Sequence, residues 1–456
     1  MADYLERVGA YPVLPRVSPG EVAAALPAAP PEAAEPLDAV LADYRRLIEP
    51  NVTHWNHPGF FAYIAISGSL PGILGETLAA ALNVNSMLWR TSPAATELEE
   101  RACDWLRQMV GLPAAFRGHV NDTASIGVFL ALAAARERAV PGVRRRGLAG
   151  GGRPELAVYA SDQAHSSVDK AAIALGLGLD SVRRIGSNSA LRLDPEPLAA
   201  ALAADRAAGV EPLAVVATAG TTSTGAIDPL PAIAALCRRE GLWLHVDAAY
   251  GGGAAVCPEV RAHLAGIEEA DSVVVNPHKW LFVPIDCSVL FLRDPEVLKR
   301  AFAVVPEYLK TPEEGVTNLM DLGLQLGKRF RALKLWMVIR AFGVDGLRQR
   351  IRAHLELARR FASWVAAEPG FELAAPVPLA IVAFRAVGSG SAEADDAFNE
   401  RLLAEVNAQG PVFLSHSRIG GRYVLRLVVG NIRTEEEHVA TAWRLIREAA
   451  ARLRQP

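Results

Sequence analysis

Between about residues 115 and 295 the chain alternates short apolar runs of β character with helical segments, and few folds accommodate that order. The strand-like runs lie at 156–160, 213–217, 242–247, 272–275 and 289–292. Helical patterns occupy 126–138, 166–175 and 230–240. This alternation predicts an α/β fold, a mostly parallel sheet with helices on both faces. Ligands of such sheets bind beyond the carboxyl ends of the strands. Thr222, Asp247 and Lys279 each fall just after a strand-like run, so chemistry is expected there.

The flanking segments are different. Residues 1–85 read as a helical arm, 86–345 as the large α/β domain and 346–456 as a smaller α+β domain. In the arm, a short helix begins at 18–21 and 37–48 has helical spacing, with a Pro/Ala linker at 27–36. For that linker both disorder and packing on a partner subunit are open. An aromatic and histidine cluster fills 54–63. His54 and His57 could bind metal, but no carboxylate or cysteine accompanies them, and aromatic packing at a domain or subunit contact is the stronger reading. Helices are expected at 70–82 and 92–110, and the basic Gly-rich stretch 144–153 reads as a loop. A long helical region is expected from 327 to about 368, followed by pieces at 371–383, 396–407, 423–428 and 434–454.

Composition excludes several function classes. At 456 residues the chain exceeds one small core and suggests two or three domains. A net charge of −3 supplies no basic field for nucleic acid. No apolar run approaches the roughly 20 residues that span a bilayer, and the N-terminus lacks the basic-then-apolar order of a signal peptide. Cys103, Cys237, Cys257 and Cys287 show no C-x-x-C spacing. That argues against a disulfide framework or zinc site, and for a reducing, cytoplasmic setting.

The most informative short stretch is Asn276-Pro277-His278-Lys279-Trp280-Leu281, between two apolar runs. Lysine is rarely buried unless paired or used. A desolvated lysine has a lowered pKa and can form a Schiff base with a carbonyl. Upstream, Thr123-Ala124-Ser125 opens a helix, where free N–H groups suit an anion or simply a cap. Asp247 ends a buried strand and needs a positive partner, which a protonated pyridine nitrogen would provide. His165 follows another strand and could stack on a ring or be structural. Phosphate site, aspartate and lysine together describe a site for pyridoxal 5'-phosphate (PLP).

These residues carry a resemblance. The NPHKW and HVDAAY blocks, with 57–63, 92–99, 161–168 and 326–336, make the chain similar to the PLP-dependent decarboxylases of the aromatic-L-amino-acid decarboxylase group. The resemblance implies a fold type I enzyme with a seven-stranded-type sheet. It implies Lys279 as the Schiff-base lysine, Asp247 as partner of the pyridine nitrogen and His165 as the stacking histidine. By the same resemblance Ala124, Ser125, Thr222 and Asn276 contact the cofactor, and His278 and Ala249 line its ring. Trp55, Tyr63 and Ile66 resemble the substrate wall. A homodimer with intertwined N-termini and a site at the subunit interface is also implied. The implied reaction is decarboxylation of an L-amino acid, aromatic by family default, to the amine and CO2.

Two departures stand out. The family has a loop tyrosine where this chain has Leu319, so the proton donor for the last step is missing. Tyr308 lies too early to replace it, and Leu322 stands where a tryptophan is common. Relatives that carry phenylalanine at that position tend to react with oxygen and give an aldehyde, which makes an aldehyde synthase the alternative. Asn85 and Met87 occupy pocket positions, contributed by the second subunit, that are usually apolar or aromatic. Transamination, aldol chemistry and a PLP-binding paralogue without activity are further alternatives. A nucleic-acid or membrane module has no support in charge or hydropathy.

Overall fold

The computed structural model describes residues 2–149 and 154–455. The chain divides into two compact units. One comprises Ile66–Arg359 with Ala375–Val382, the other Met1–Ala65, Arg360–Ala374 and Ala383–Pro456.

The first unit is built on a seven-stranded sheet. Its strands are β1 (Arg117–Asn121), β2 (Leu156–Ser161), β3 (Val182–Ile185), β4 (Glu211–Thr218), β5 (Trp243–Asp247), β6 (Ser272–Val275) and β7 (Ser288–Leu292). The spatial order is β1-β7-β6-β5-β4-β2-β3. Pairings from β3 to β6 are parallel, while β7 runs antiparallel to both β6 and β1. The inner strands are buried along their length, which is why they read as unbroken apolar runs. β1 and β3 escaped the sequence pattern because their sequences, RGHVN and VRRI, are polar edge sequences.

Helices Pro93–Val110, Ala124–Ala139, Ser167–Ala174 and Leu230–Glu240 form where expected, and Pro195–Ala207 is an additional one. Two of them, Pro93–Val110 and Leu230–Glu240, end on left-handed glycines, Gly111 (φ 88°) and Gly241 (φ 70°). The long helical region starts at Ala332 rather than 327, and Gly343 (φ 64°) breaks it. Of the expected loop at 144–153, Val143–Arg146 is a helical turn and 150–153 lie outside the described residues. Among the described residues no helix is long and apolar enough to cross a membrane.

The second unit carries a four-stranded sheet of order β10-β11-β9-β8, from β8 (Phe371–Leu373), β9 (Ile381–Ala386), β10 (Ser415–Ile419) and β11 (Arg422–Val428). Helices Ala392–Ala408 and Glu436–Arg454 belong to it. The N-terminal segment is stitched into the same unit. Phe61 N–H donates to Phe413 O (2.9 Å), Phe413 N–H to Gly59 O (3.0 Å) and Val428 N–H to Phe61 O (3.0 Å). Residues 1–65 therefore fold with the C-terminal segment, and Leu70–Leu82 with the sheet of the first unit.

Helix Ala124–Ala139 approaches the sheet closely at Gly127, where an added Cβ would lie 2.7 Å from Val274 Cγ2. Overpacking there costs ~1–3 kcal/mol, more than the roughly 1 kcal/mol by which Ala exceeds Gly in a helix. Gly127→Ala is expected to destabilise the protein in urea denaturation, and by much less in a Val274→Ala background, where only the Val274 Cβ contact at 3.3 Å remains. An equal loss in both backgrounds would show that this contact does not set the helix position.

Candidate active site

β4, β5 and β6 are adjacent and parallel, so their carboxyl ends open on one edge of the sheet. Asp247 closes β5. It is buried, and one carboxylate oxygen accepts from Ala249 N–H at 3.0 Å. β6 runs into Asn276 and the one-turn helix Pro277–Trp280. Two contacts clamp that turn. Trp280 stacks on Tyr250 with ring centroids 4.7 Å apart, and its indole N–H donates to His354 Nδ1 at 3.0 Å. Lys279 projects from the clamped turn, and burial holds its amine below the usual lysine range while Asp247 opposes that shift. A lowered ammonium pKa leaves more free amine, the nucleophilic form.

His278 and Asn276 form a second clamp. His278 Nδ1 accepts from Cys287 N–H at 2.9 Å, which puts the ring proton on Nε2. Asn276 Nδ2 lies 3.3 Å from that nitrogen, while Asn276 Oδ1 is buried without a hydrogen-bond partner among the described residues. Both groups are satisfied when the amide turns its oxygen to His278 Nε2–H. The turn frees the Asn276 NH2 as a buried donor beside Lys279. Burial, reinforced by Lys279, pushes His278 down to about 3, so it is neutral.

His165 stands on the loop after β2. Its Nδ1 accepts from Ser167 N–H at 3.1 Å, so Nε2 is the outward end of an exposed ring. Partial desolvation holds it below the usual histidine value, with Asp247 opposing and Lys279 adding. Helix Ala124–Ala139 has no side-chain cap at Thr123, so the N–H groups of Ala124 and Ser125 are available to an anion. A half-buried lysine, a carboxylate, an amide donor and an uncapped helix start fit PLP. Ala249 is buried two residues after Asp247, and Thr222 is exposed on the loop after β4.

The remaining expected residues fall into two groups. Ile66 heads a segment held to the lysine's own loop, since Ser69 donates to Phe282 O through Oγ (2.8 Å) and N–H (3.0 Å). Trp55 and Tyr63 stack on each other, 5.8 Å between centroids, in the other unit. Asn85, Met87 and the turn at Leu319 are brought near one another. Met320 N–H donates to Met87 O (3.0 Å), and Asn85 Oδ1 accepts from Lys328 N–H (2.9 Å). Leu319 is buried in the apolar cluster that contains Leu130 and Val297. It borders a cleft of about 860 Å³ whose walls do not include Lys279, Asp247 or His165.

One supporting residue had no signal in the sequence. Asp228 is buried and its carboxylate accepts from Thr218 N–H and Leu193 N–H, both at 2.7 Å, which fixes the end of β4. An aspartate shortly before a helix reads as an ordinary turn residue, and its burial is visible only in the fold.

These buried groups predict an acid limb of stability. His245 titrates at about 4 and His278 at about 3, both lowered by burial from the ordinary 6.5. The unfolded chain takes up those protons first, so stability falls as pH drops below 6.5. Asp228, raised by burial to about 6, acts oppositely: its contribution is present at low pH and lost as pH rises through 6. Two histidines outweigh one carboxyl, and the urea midpoint should be lower at about pH 4.5 than at about pH 7. An equal or higher midpoint at the acid value would refute these assignments.

Comparison with known proteins agrees with this geometry. Residues 19–387 match the family model described as the pyridoxal-dependent decarboxylase conserved domain. Tryptophan decarboxylase 2 of Oryza sativa subsp. japonica is 40% identical over 465 residues, covering 99% of this chain and 93% of that one. A phenylacetaldehyde synthase of Arabidopsis thaliana is 40% identical over 465 residues, covering 99% and 94%. The crystal structure of Oryza sativa TDC with PLP and tryptamine superposes with a TM-score of 0.95 at 39% identity, covering 99% and 95%.

Proposed function

Because the chain belongs to the pyridoxal-dependent decarboxylase family, we propose that it decarboxylates an aromatic L-amino acid to the amine and CO2. It is a PLP-dependent carboxy-lyase by membership, and the aromatic preference follows the tryptophan and tyrosine decarboxylases it resembles. The observation that carries the reading is the clamped, desolvated Lys279 amine beside Asp247. The cofactor, when bound, draws off the electron pair left by the departing carboxylate.

The chain's own residues divide the work. Lys279 would hold the cofactor aldehyde, and Asp247 would keep the pyridine nitrogen protonated. Ala124 and Ser125 would hold the phosphate, with Asn276 and Thr222 as further donors. His278 and Ala249 would border the ring. His165, with Nε2 outward, would cover the ring face and hold a proton near the reacting carbon. Trp55, Tyr63 and Ile66 would form the substrate wall. Lys279→Ala is expected to fold with an unchanged melting midpoint and to release no CO2 from any aromatic amino acid. Residual turnover within about tenfold of the parent would sink the reading.

A second reading rests on Leu319, an apolar side chain that cannot donate a proton. An aldehyde product, as in the phenylacetaldehyde synthase relative, is then the alternative outcome. Products from tryptophan, tyrosine and phenylalanine under air separate the two. Amine as the sole product is expected, whereas equal yields of aldehyde, peroxide, ammonia and CO2 would establish the alternative.

We further propose a homodimer in a cytoplasmic setting, with residues 1–85 as a dimer-forming arm beside the domains 86–345 and 346–456. Leu70, Leu74, Leu78 and Leu82 form an exposed stripe on helix Leu70–Leu82, an apolar face that a second copy would cover. In that dimer Asn85 and Met87 would serve the partner's site. The four cysteines are free and buried, as a reducing compartment would keep them. A Leu74→Glu, Leu78→Glu double variant should elute as a monomer in light-scattering chromatography. A dimer unchanged by it would remove this face from consideration.

A further inference from the structure

Behind Asp247 lies a buried polar chain that the site as described does not use. Trp243, His245 and Asp247 alternate along β5 and so share one face of the sheet. The parallel register sets His245 beside Ser272 and Asp247 beside Val274. Val274 is the residue that Gly127 packs on, so this face lies under helix Ala124–Ala139. Val216, paired with His245 on the other side, is apolar. A fully buried histidine in this layer therefore has few polar neighbours.

The hydrogen bonds assign its proton. Ser272 Oγ lies 2.9 Å from Trp243 Nε1 and 2.9 Å from His245 Nδ1. An indole N–H can only donate, so Ser272 accepts from Trp243. The serine's own proton is then free for His245 Nδ1, which places the imidazole proton on Nε2. The opposite tautomer would leave the hydroxyl proton without an acceptor and a bare lone pair on Nε2. His245 Nε2 is buried with no hydrogen-bond partner among the described residues. Burial keeps the ring neutral, with the charge of Asp247 and the Ser272 backbone opposing that effect. An orphaned buried donor calls for a physical reason, and on this face the carboxylate two residues along is the acceptor within its field.

We propose that Trp243, Ser272 and His245 form a relay that orients the Asp247 carboxylate, with His245 Nε2–H as its terminal donor. The proposal rests on the reading of Asp247 as the partner of the cofactor nitrogen. His245 is a positioning residue in it and touches neither substrate nor cofactor. Ala249 N–H already holds one carboxylate oxygen, and a bond from the unpartnered His245 Nε2–H to the other would leave the anion a single orientation. A carboxylate held in place pairs with a ring nitrogen more strongly than one free to rotate, because less freedom is lost on binding.

The test uses side-chain amides as surrogates. In His245→Gln the amide nitrogen reaches the Nε2 position, whereas in His245→Asn only the Nδ1 position is mimicked. PLP is titrated into each dialysed full-length variant, with tryptophan fluorescence and the visible absorbance of bound cofactor as readouts. Thermal midpoints of the cofactor-free forms are measured in parallel. His245→Asn and Ser272→Ala are expected to weaken PLP about tenfold, the effect of one hydrogen bond to a charged group, and to shift the absorbance maximum. His245→Gln should stay within about threefold of the parent with the parent's spectrum. Equal PLP affinity in all variants would overturn the proposal. So would parallel losses in Gln and Asn that follow their thermal midpoints, as a merely structural histidine predicts. Should His245→Asn not fold, Ser272→Ala decides alone, with unchanged affinity and spectrum as the refuting result. Failure of the parent to take up PLP, or uptake unaltered by Lys279→Ala, would instead overturn the site reading itself.

Discussion

The site depends on an amine kept out of water beside a carboxylate. Lys279 is crowded enough that its ammonium form is disfavoured, and Asp247 is the charge that limits the effect. Neither group would behave this way alone. A buried carboxylate without a cation is costly, and a lysine in water stays protonated and unreactive near neutral pH. Their joint placement requires that β5 and β6 end on the same edge of the sheet, one strand apart.

Most of the remaining structure keeps that placement from relaxing. The turn that carries Lys279 spans only Pro277–Trp280, too short to hold itself. Its rigidity comes from Trp280 between Tyr250 and His354, and from His278 fastened to the Cys287 backbone. β7 returns antiparallel beside β6, so the chain leaving the lysine turn is at once pinned to the strand that led into it. Asp228 does the same for the end of β4 by occupying two backbone N–H groups. Polar groups buried in this way stabilise only when satisfied, and the N–H groups of Cys287, Thr218 and Leu193 and the indole of Trp280 supply those partners.

The inner strands and the main helices were legible in the sequence because burial on both faces leaves unbroken apolar runs, as in β2 and β6. β1, β3 and β10 were not, since edge or half-exposed strands such as SHSRI carry no such run. The order of helix and strand also could not reveal that β7 is antiparallel, because the connection 276–287 is long enough for either a hairpin or a parallel crossover. Nor could it reveal that residues 1–65 fold with the C-terminal segment, a pairing made by backbone bonds such as Phe61 to Phe413.

For the site, local chemistry and spacing determined the main part. A lysine and an aspartate, each just after a strand, with a helix start upstream, already specified which cofactor the chain would hold, because parallel strands deliver their carboxyl ends to one edge. Tertiary structure decided what the spacing could not express. It showed that Leu319 lies in the core and borders a cleft apart from Lys279, and that Asn85 and Met87 gather with it. It also aligned His245 with Ser272 behind Asp247, residues 27 positions apart. Such contacts depend on strand register and on which face a side chain takes, and a one-residue slip would reverse them.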